Sequence, residues 1–202
     1  MQQIYVHKGD LPEDITFEKS VAVDTETTGL DIQNDRICLV QLADDKGNCH
    51  LVQIVPDIQP LRLMSLLSNP DILKIFHFAR FDVAMISRCF GTEVAPIYCT
   101  KIAHRLVCPE KPHGLKDLCA EFLGVSLDKA QQCSDWTVHN LSDAQKKYAA
   151  ADVLYLHKLR HQLDAMLVQQ GRQKIAASCF DFIPVRAKLD LYGYKNPDIF
   201  EH

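Results

Sequence analysis

The sequence has no CxxC pair, no apolar run of membrane-spanning length, no Pro/Gly-rich linker and no excess of positive charge. Each absence removes a class of function. Without a CxxC pair, the eight cysteines do not form a zinc knuckle or a redox motif. Most of them sit beside apolar residues, which suits small buried hydrophobes in a reducing cytoplasm. The lack of a long apolar run, together with the polar start MQQIYVHKGD, points away from a membrane span and a signal peptide. The expectation is a cytoplasmic protein with no membrane partner. The lack of linkers, repeats and low-complexity tracts predicts one domain over residues 1–202. Residues 172–202 then form a C-terminal extension, apolar enough to pack on the body or at an oligomer interface. A net charge of −4 argues against a protein that coats long nucleic acid by charge alone. The charge is uneven, with 8 Lys/Arg against 14 Asp/Glu in residues 1–100 and 14 against 12 in residues 101–202. A short anionic substrate could still meet a basic patch from the second half.

The pattern along the chain is that of an α/β domain. SVAVDTE (20–26), RICLVQLAD (36–44), CHLVQIV (49–55) and ILKIFHF (72–78) have the apolar content of strands. The turn DDKGN makes the second and third of these a hairpin. IQPLRLMSLLS (58–68) and FDVAMISRCF (81–90) have helical periodicity, and from about residue 99 the pattern is mainly helical, with Gly124 a C-cap. The longest helical stretch, 141–171, opens on Ser142 with Gln145 three residues later, the spacing of a capping box. Together these predict a mixed central sheet flanked by helices.

Against this background four carboxylates and a tyrosine stand out: Asp24 and Glu26 in VAVDTETTGL, Asp82 in HFARFD, and Tyr148 with Asp152 in YAAADVLYL. Carboxylates among apolar residues are costly to bury unless something positive holds them. Asp24 and Glu26, at i and i+2 of a strand, project to one face. Tyr148 and Asp152, at i and i+4, share one helix face, and Asp82 falls at the start of a helix, where the dipole favours an anion. Two hard divalent cations bound by oxygen ligands, Mg²⁺ or Mn²⁺ rather than zinc, would explain such a set. Two such ions about 4 Å apart can activate a water and stabilise the leaving oxygen of a phosphodiester. The phenol of Tyr148 suits positioning the water, because its ordinary pKa is high.

DTETTGL, HFARFD and YAAADVLYL resemble the three motifs of the DEDD 3′-5′ exonucleases, in the subclass with a tyrosine in the third motif. QCSDW (132–136) with the following QKKYAAADVLYLHKL is similar to ribonuclease D. Ribonuclease D, however, carries helical HRDC domains for which the stretch after Asp152 leaves no room. The start IYVHKGDLP and the tail CFDFIPVRAKLDLYGY resemble the NrnC-type nanoRNases nearly end to end. That resemblance implies a ribonuclease H-like exonuclease fold, a ring-like homo-oligomer, and very short RNA as substrate, above all 5′-phosphorylated dinucleotides including pGpG.

Carried over position by position, the resemblance makes Asp24, Glu26, Asp82 and Asp152 metal ligands and Tyr148 the catalytic tyrosine. The backbone from Thr25 to Thr27 would meet the 3′ end, and Leu30 would wedge between the last two bases. His77 and Phe78 stand where relatives contact substrate. Phe78 departs from the usual asparagine, which implies stacking on a base, or else an ordinary buried strand residue. Trp136 is followed by Thr-Val-His in place of Arg-Pro-Leu and is assigned to packing. A dinucleotide enzyme can recognise a short end by clamping its 5′-phosphate. Lys111, His113, Lys116, Arg80 and Arg88 are the candidates for that role, against ordinary solvated charge. The competing functions are a general 3′-5′ exonuclease on longer RNA or single-stranded DNA, a non-catalytic nucleic-acid-binding module, and a small metal-binding protein.

Overall fold

The computed structural model describes residues 3–128, 130–194 and 198–200. Its strands are β1 (Gln3–Lys8), β2 (Ser20–Thr27), β3 (Ile37–Ala43), β4 (Asn48–Gln53), β5 (Leu73–Phe76) and β6 (Ile97–Cys99). They form one mixed sheet in the order β1-β4-β3-β2-β5-β6. β2, β3 and β4 run antiparallel, while β1 on β4, β5 on β2 and β6 on β5 are parallel. All seven residues of β3 are buried, as a central strand covered on both faces requires. The β3–β4 turn is fixed by Asp44, whose Oδ1 accepts from the backbone N–H of Lys46 and Asn48 at 3.0 and 2.8 Å.

The helices are α1 (Leu61–Ser68), α2 (Ala79–Phe90), α3 (Thr100–Val107), α4 (Leu115–Leu123), α5 (Asp143–Leu154), α6 (Leu156–Gln169) and α7 (Gln173–Leu191). Gly91 and Gly124 end α2 and α4 in the left-handed conformation, each at φ 66°. The capping box at the start of α5 is complete. The Gln145 N–H donates to Ser142 Oγ at 3.2 Å, and the Ser142 N–H donates to Gln145 Oε1 at 3.0 Å.

The structure differs from the sequence reading in three places. β1 and β6 were not expected as strands, and the helical stretch 141–171 is two helices broken at Tyr155. The break lets each half meet a different partner. α5 packs on β2, β3 and β4, whereas α6 buries Leu156, Leu159, Leu163 and Leu167 against α3, α4 and their neighbours. α7 lays Ala176, Phe180, Ile183 and Ala187 against α2, α3 and β6, a spacing that keeps them on one helical face. No helix among the described residues is long and apolar enough to cross a membrane.

Candidate active site

The C-terminal half of β2 carries Asp24, Thr25, Glu26 and Thr27, while Asp82 lies in the first turn of α2. Tyr148 and Asp152 stand one turn apart on α5, which crosses the sheet over β2. This packing brings carboxylate oxygens of Asp24, Glu26 and Asp152 within 4.8 Å of one another. Asp82 is buried and its Oδ1 accepts a 2.6 Å hydrogen bond from Thr25 Oγ1. Thr25 thus faces away from the strand pair that flanks it and holds the α2 carboxylate in register with β2. Behind the site Gln41 of β3, opposite Asp24 in the ladder, donates from Nε2 to Glu26 Oε1 at 3.5 Å.

Among the described residues no ion pair joins Asp24, Glu26 or Asp82 to a lysine or arginine. The electrostatic result is large. Asp24 is held well above the ordinary carboxylate range by burial, then by Asp82, Asp152 and Glu26. Burial, with Asp152 and Asp82, pushes Glu26 up to about 9. Burial raises Asp82 to about 7, with the Thr25 hydroxyl working the other way. These groups repel one another and lack compensating positive charge, which is the condition a divalent cation relieves. All the donors are hard oxygens, so the set suits Mg²⁺ or Mn²⁺. Tyr148 is half-buried, and burial together with Asp152 and Glu26 raises its phenol further. It therefore keeps its proton at neutral pH and acts as a hydrogen-bonding group, not as a phenolate. The buried ring of Trp136 lies 6.0 Å from that of Tyr148, a packing contact.

A cavity of about 250 Å³ adjoins these groups, lined in part by His77, Phe78, Lys101, Lys116, Tyr148 and Asp152. Phe78 is not the interior strand residue that was the alternative reading. It caps α2 at φ 69°, a costly conformation for a bulky residue, and is 46% exposed. Lys101 Nζ stands 4.1 Å over its ring, a cation–π contact. Nothing in the sequence marked Lys101, because only the tertiary fold brings α3 beside Phe78. His77 shares a 2.9 Å hydrogen bond with Thr100 Oγ1, and burial lowers it to about 3, so it is neutral.

The expected phosphate-binding residues are dispersed. Lys116 lines the catalytic cavity. Lys111 is paired with Glu121, and His113 Nδ1 is bonded to His104 Nδ1 at 2.8 Å. Arg80 donates from Nε and Nη2 to the two carboxylate oxygens of Asp190 at 2.5 and 2.6 Å. Arg80 also lines a neighbouring cavity of about 340 Å³, which shares Phe78 and Lys101 with the catalytic one and adds Arg105, Phe182 and Arg186. Arg88 lines a separate cavity that has no residue in common with either.

Leu30 is 80% exposed on the turn that follows β2. That turn is tight. Thr27 Oγ1 donates to the Gly29 carbonyl at 2.5 Å, and Asp35 accepts from Thr28 Oγ1 and the Asp31 N–H, both at 2.8 Å. A Cβ on Gly29 would lie 2.5 Å from Asp35 Oδ2, so a larger residue there would displace the Asp35 carboxylate that holds the turn.

Comparison with known proteins agrees with this geometry. The 3′-5′ exonuclease family matches residues 9–168. Ribonuclease D of Gluconacetobacter diazotrophicus is 34% identical over 166 residues, covering 82% of this chain and 42% of that protein. The chain thus spans less than half the length of curated relatives such as this one. The structure of Brucella melitensis NrnC bound to pGG is 44% identical, with a TM-score of 0.94 and both chains covered in full. The same protein with bound Mg²⁺ gives a TM-score of 0.92 at 44% identity, again with both chains covered in full. The mixed sheet and its helices are those of the ribonuclease H-like exonuclease fold, and the chain belongs to the 3′-5′ exonuclease family, in its ribonuclease D-like, NrnC-type branch.

Proposed function

We propose that the protein is a metal-dependent 3′-5′ exoribonuclease that hydrolyses very short RNA, chiefly 5′-phosphorylated dinucleotides such as pGpG, to nucleoside 5′-monophosphates in the cytoplasm. The observation that carries this reading is the grouping of Asp24, Glu26 and Asp152 from β2 and α5, the helix that carries Tyr148, with Asp82 of α2 held to the same strand through Thr25 and close enough to raise the pKa values of Asp24 and Glu26. The full-length match to NrnC bound to pGG supports the substrate class.

In this reading Asp24, Glu26, Asp82 and Asp152 hold two divalent ions, which when bound supply an activated water and stabilise the leaving 3′ oxygen. The chain's own residues do the rest. Thr25 fixes Asp82 through its hydroxyl, and the backbone from Thr25 to Thr27 meets the 3′ end. Tyr148, protonated, donates a hydrogen bond that orients the attacking water. Leu30 wedges against the terminal base from its exposed turn, and Phe78 offers a stacking face for the next base. His77, neutral, contributes a hydrogen bond without charge.

For the 5′-phosphate, Lys116 and Lys101 take precedence over Arg80, Lys111 and His113. The last three are engaged by Asp190, Glu121 and His104, whereas neither Lys101 nor Lys116 forms an ion pair among the described residues. Residues 1–202 act as one catalytic unit. Its ring-like self-association uses the outer face of α7, where Ile175, Phe182, Val185 and the following Tyr192 are exposed.

The test compares initial rates on 5′-phosphorylated RNAs of two to ten nucleotides with Mg²⁺ or Mn²⁺ and with excess chelator. A sharp preference for the dinucleotide that chelator abolishes is expected. A flat length profile would indicate a general exonuclease. Full activity in chelator would remove the metal from the mechanism, and no release of mononucleotides under any condition would leave a binding module.

A further inference from the structure

Gln41 is the one strongly polar residue of β3, in the run ICLVQLA, and it is fully buried. An amide is costly to bury unless its hydrogen bonds are met inside the protein. Its place follows from the ladder. Gln41 stands opposite Asp24, so the two side chains share the face of the sheet on which α5 packs. From there its Nε2 donates diagonally to Glu26 Oε1 at 3.5 Å. Its Oε1 is buried and has no donor among the described residues.

The other buried glutamines behave differently. Gln53 Nε2 donates to the Val138 carbonyl at 3.0 Å, and Gln145 Nε2 donates to the Asp135 carbonyl at 2.9 Å. Each ties down a backbone group. Gln41 gives its amide to a site carboxylate instead and leaves its own acceptor unmatched, where an apolar residue of similar size would be easier to bury. The fold alone therefore does not account for a glutamine here. Glu26 does. The β2–β3 register shifts between Glu26 and Thr27, so regular pairing ends at Glu26, and such an irregularity re-aims the side chains beside it. A neutral donor holds that carboxylate without cancelling its charge, which a lysine or arginine would do.

We infer that Gln41 is a positioning residue: its amide fixes the Glu26 carboxylate toward Asp24 and Asp152 and thereby sets the affinity of this group for its divalent ion. The inference rests on the proposed reading of these acids as metal ligands. In this role Gln41 touches neither ion nor substrate. Outer partners of metal ligands typically change metal affinity or activity by about 10–100-fold.

The experiment titrates Mn²⁺ into the full chain, read by the electron paramagnetic resonance of the free ion, beside the melting midpoint in chelator. Gln41→Leu and Gln41→Met both remove the donor and keep the bulk, and the unbranched methionine covers the case in which leucine fails to pack. Each is expected to weaken Mn²⁺ binding by about tenfold or more, with a metal-free midpoint no lower than that of the wild type. Dinucleotide hydrolysis should fall at low Mn²⁺ and recover as the ion is raised, with KM for the dinucleotide unchanged. Leu42→Val, one residue on and facing the opposite side of the sheet, is the control. It should lower the midpoint and leave Mn²⁺ binding as it is.

Unchanged Mn²⁺ affinity in both Gln41 variants overturns the role, and so does a loss of affinity that Leu42→Val reproduces. Failure of both Gln41 variants to fold would make the amide a structural bond and overturn it equally. A wild type that binds no Mn²⁺ would overturn both this role and the metal-dependent reaction. Mn²⁺ binding that weakens in both variants, in a chain that does not cleave dinucleotides, would refute the proposed reaction and leave the role of Gln41 standing.

Discussion

Arg80 and Asp82 stand two residues apart in the first turn of α2 and enter two different charged clusters. On one side Arg80 meets Asp190 of α7, which is 5% exposed and also paired with Arg186, itself bonded to Asp198. On the other side Asp82 meets Thr25 and the group formed by Asp24, Glu26 and Asp152. Both clusters bury carboxylates. In the first, arginines from the same chain supply the opposing charge, and the acid is a structural clasp between α2 and α7. In the second, Asp24, Glu26 and Asp82 have no ion-paired lysine or arginine among the described residues, and their pKa values rise. A buried acid that carries its own counter-charge serves the fold. One that requires the charge from outside marks a site.

The largest effect that would sharpen this contrast is on activity. Asp24→Ala or Asp152→Ala is expected to lower the rate of dinucleotide hydrolysis by more than about 10³-fold, the scale of losing a preorganised electrostatic stabiliser. Asp190→Ala should leave the chemistry standing but cost about 3 kcal/mol of stability, because it strands Arg80 and leaves Arg186 half-partnered. Denaturant unfolding checks the second, and the sign of the companion experiment is opposite. In chelator, Asp24→Asn should raise the melting midpoint, since it removes one of the mutually repelling charges. Equal destabilisation by Asp24→Asn and Asp190→Asn would erase the distinction between the clusters.

Smaller changes probe the surroundings of the metal-binding acids. Tyr148→Phe removes the hydrogen bond that orients water without touching a carboxylate. It is expected to reduce kcat by about 10²-fold with metal affinity unaltered. Phe78→Ala should raise KM for a dinucleotide about tenfold through loss of stacking, with a lesser change in kcat.

The weakest effect is on stability against pH. A carboxylate with a raised folded-state pKa binds protons that the unfolded chain has released, so stability falls as pH rises through that window. Buried histidines with lowered values act oppositely, but their contribution is complete by about pH 6.5. Lys74, lowered to about 8, adds stability only above that pH. Between about pH 6.5 and 8, therefore, Glu26, with a pKa of about 9, dominates. The metal-free midpoint should decline across that interval, and saturating Mn²⁺ should flatten the slope. A metal-free midpoint that rises there would contradict the repulsion among the carboxylates.

How legible these regions were in the sequence follows from how local their signals are. Asp24 and Glu26 share a strand face and Tyr148 and Asp152 a helix face, so spacing alone pairs them. The Ser142–Gln145 capping box and the Gly124 cap are likewise written within a few residues. The clasp was not legible, because Arg80 and Asp190 are 110 residues apart and nothing near either one marks its partner. Lys101 was missed for the same reason, as was β1, whose Ile4, Tyr5 and Val6 form a short apolar run without strand alternation, stay exposed, and take their order from β4. Phe78 was read as half strand and half site. Its left-handed backbone, which exposes the ring, is a property of the β5–α2 junction and has no signature in residue type.

Calorimetric titration of Mn²⁺ into the chain at pH 7.5, repeated in buffers of different ionisation enthalpy, tests the division between the two clusters most directly. Saturation at two ions per chain is expected, with proton release, because the ions displace protons from carboxylates whose pKa values lie as high as about 9. Asp24→Asn should weaken this binding, and Asp190→Asn should leave it intact in the folded protein. Absence of saturable binding, or binding indifferent to Asp24, would show that these acids are buried for some reason other than to hold metal.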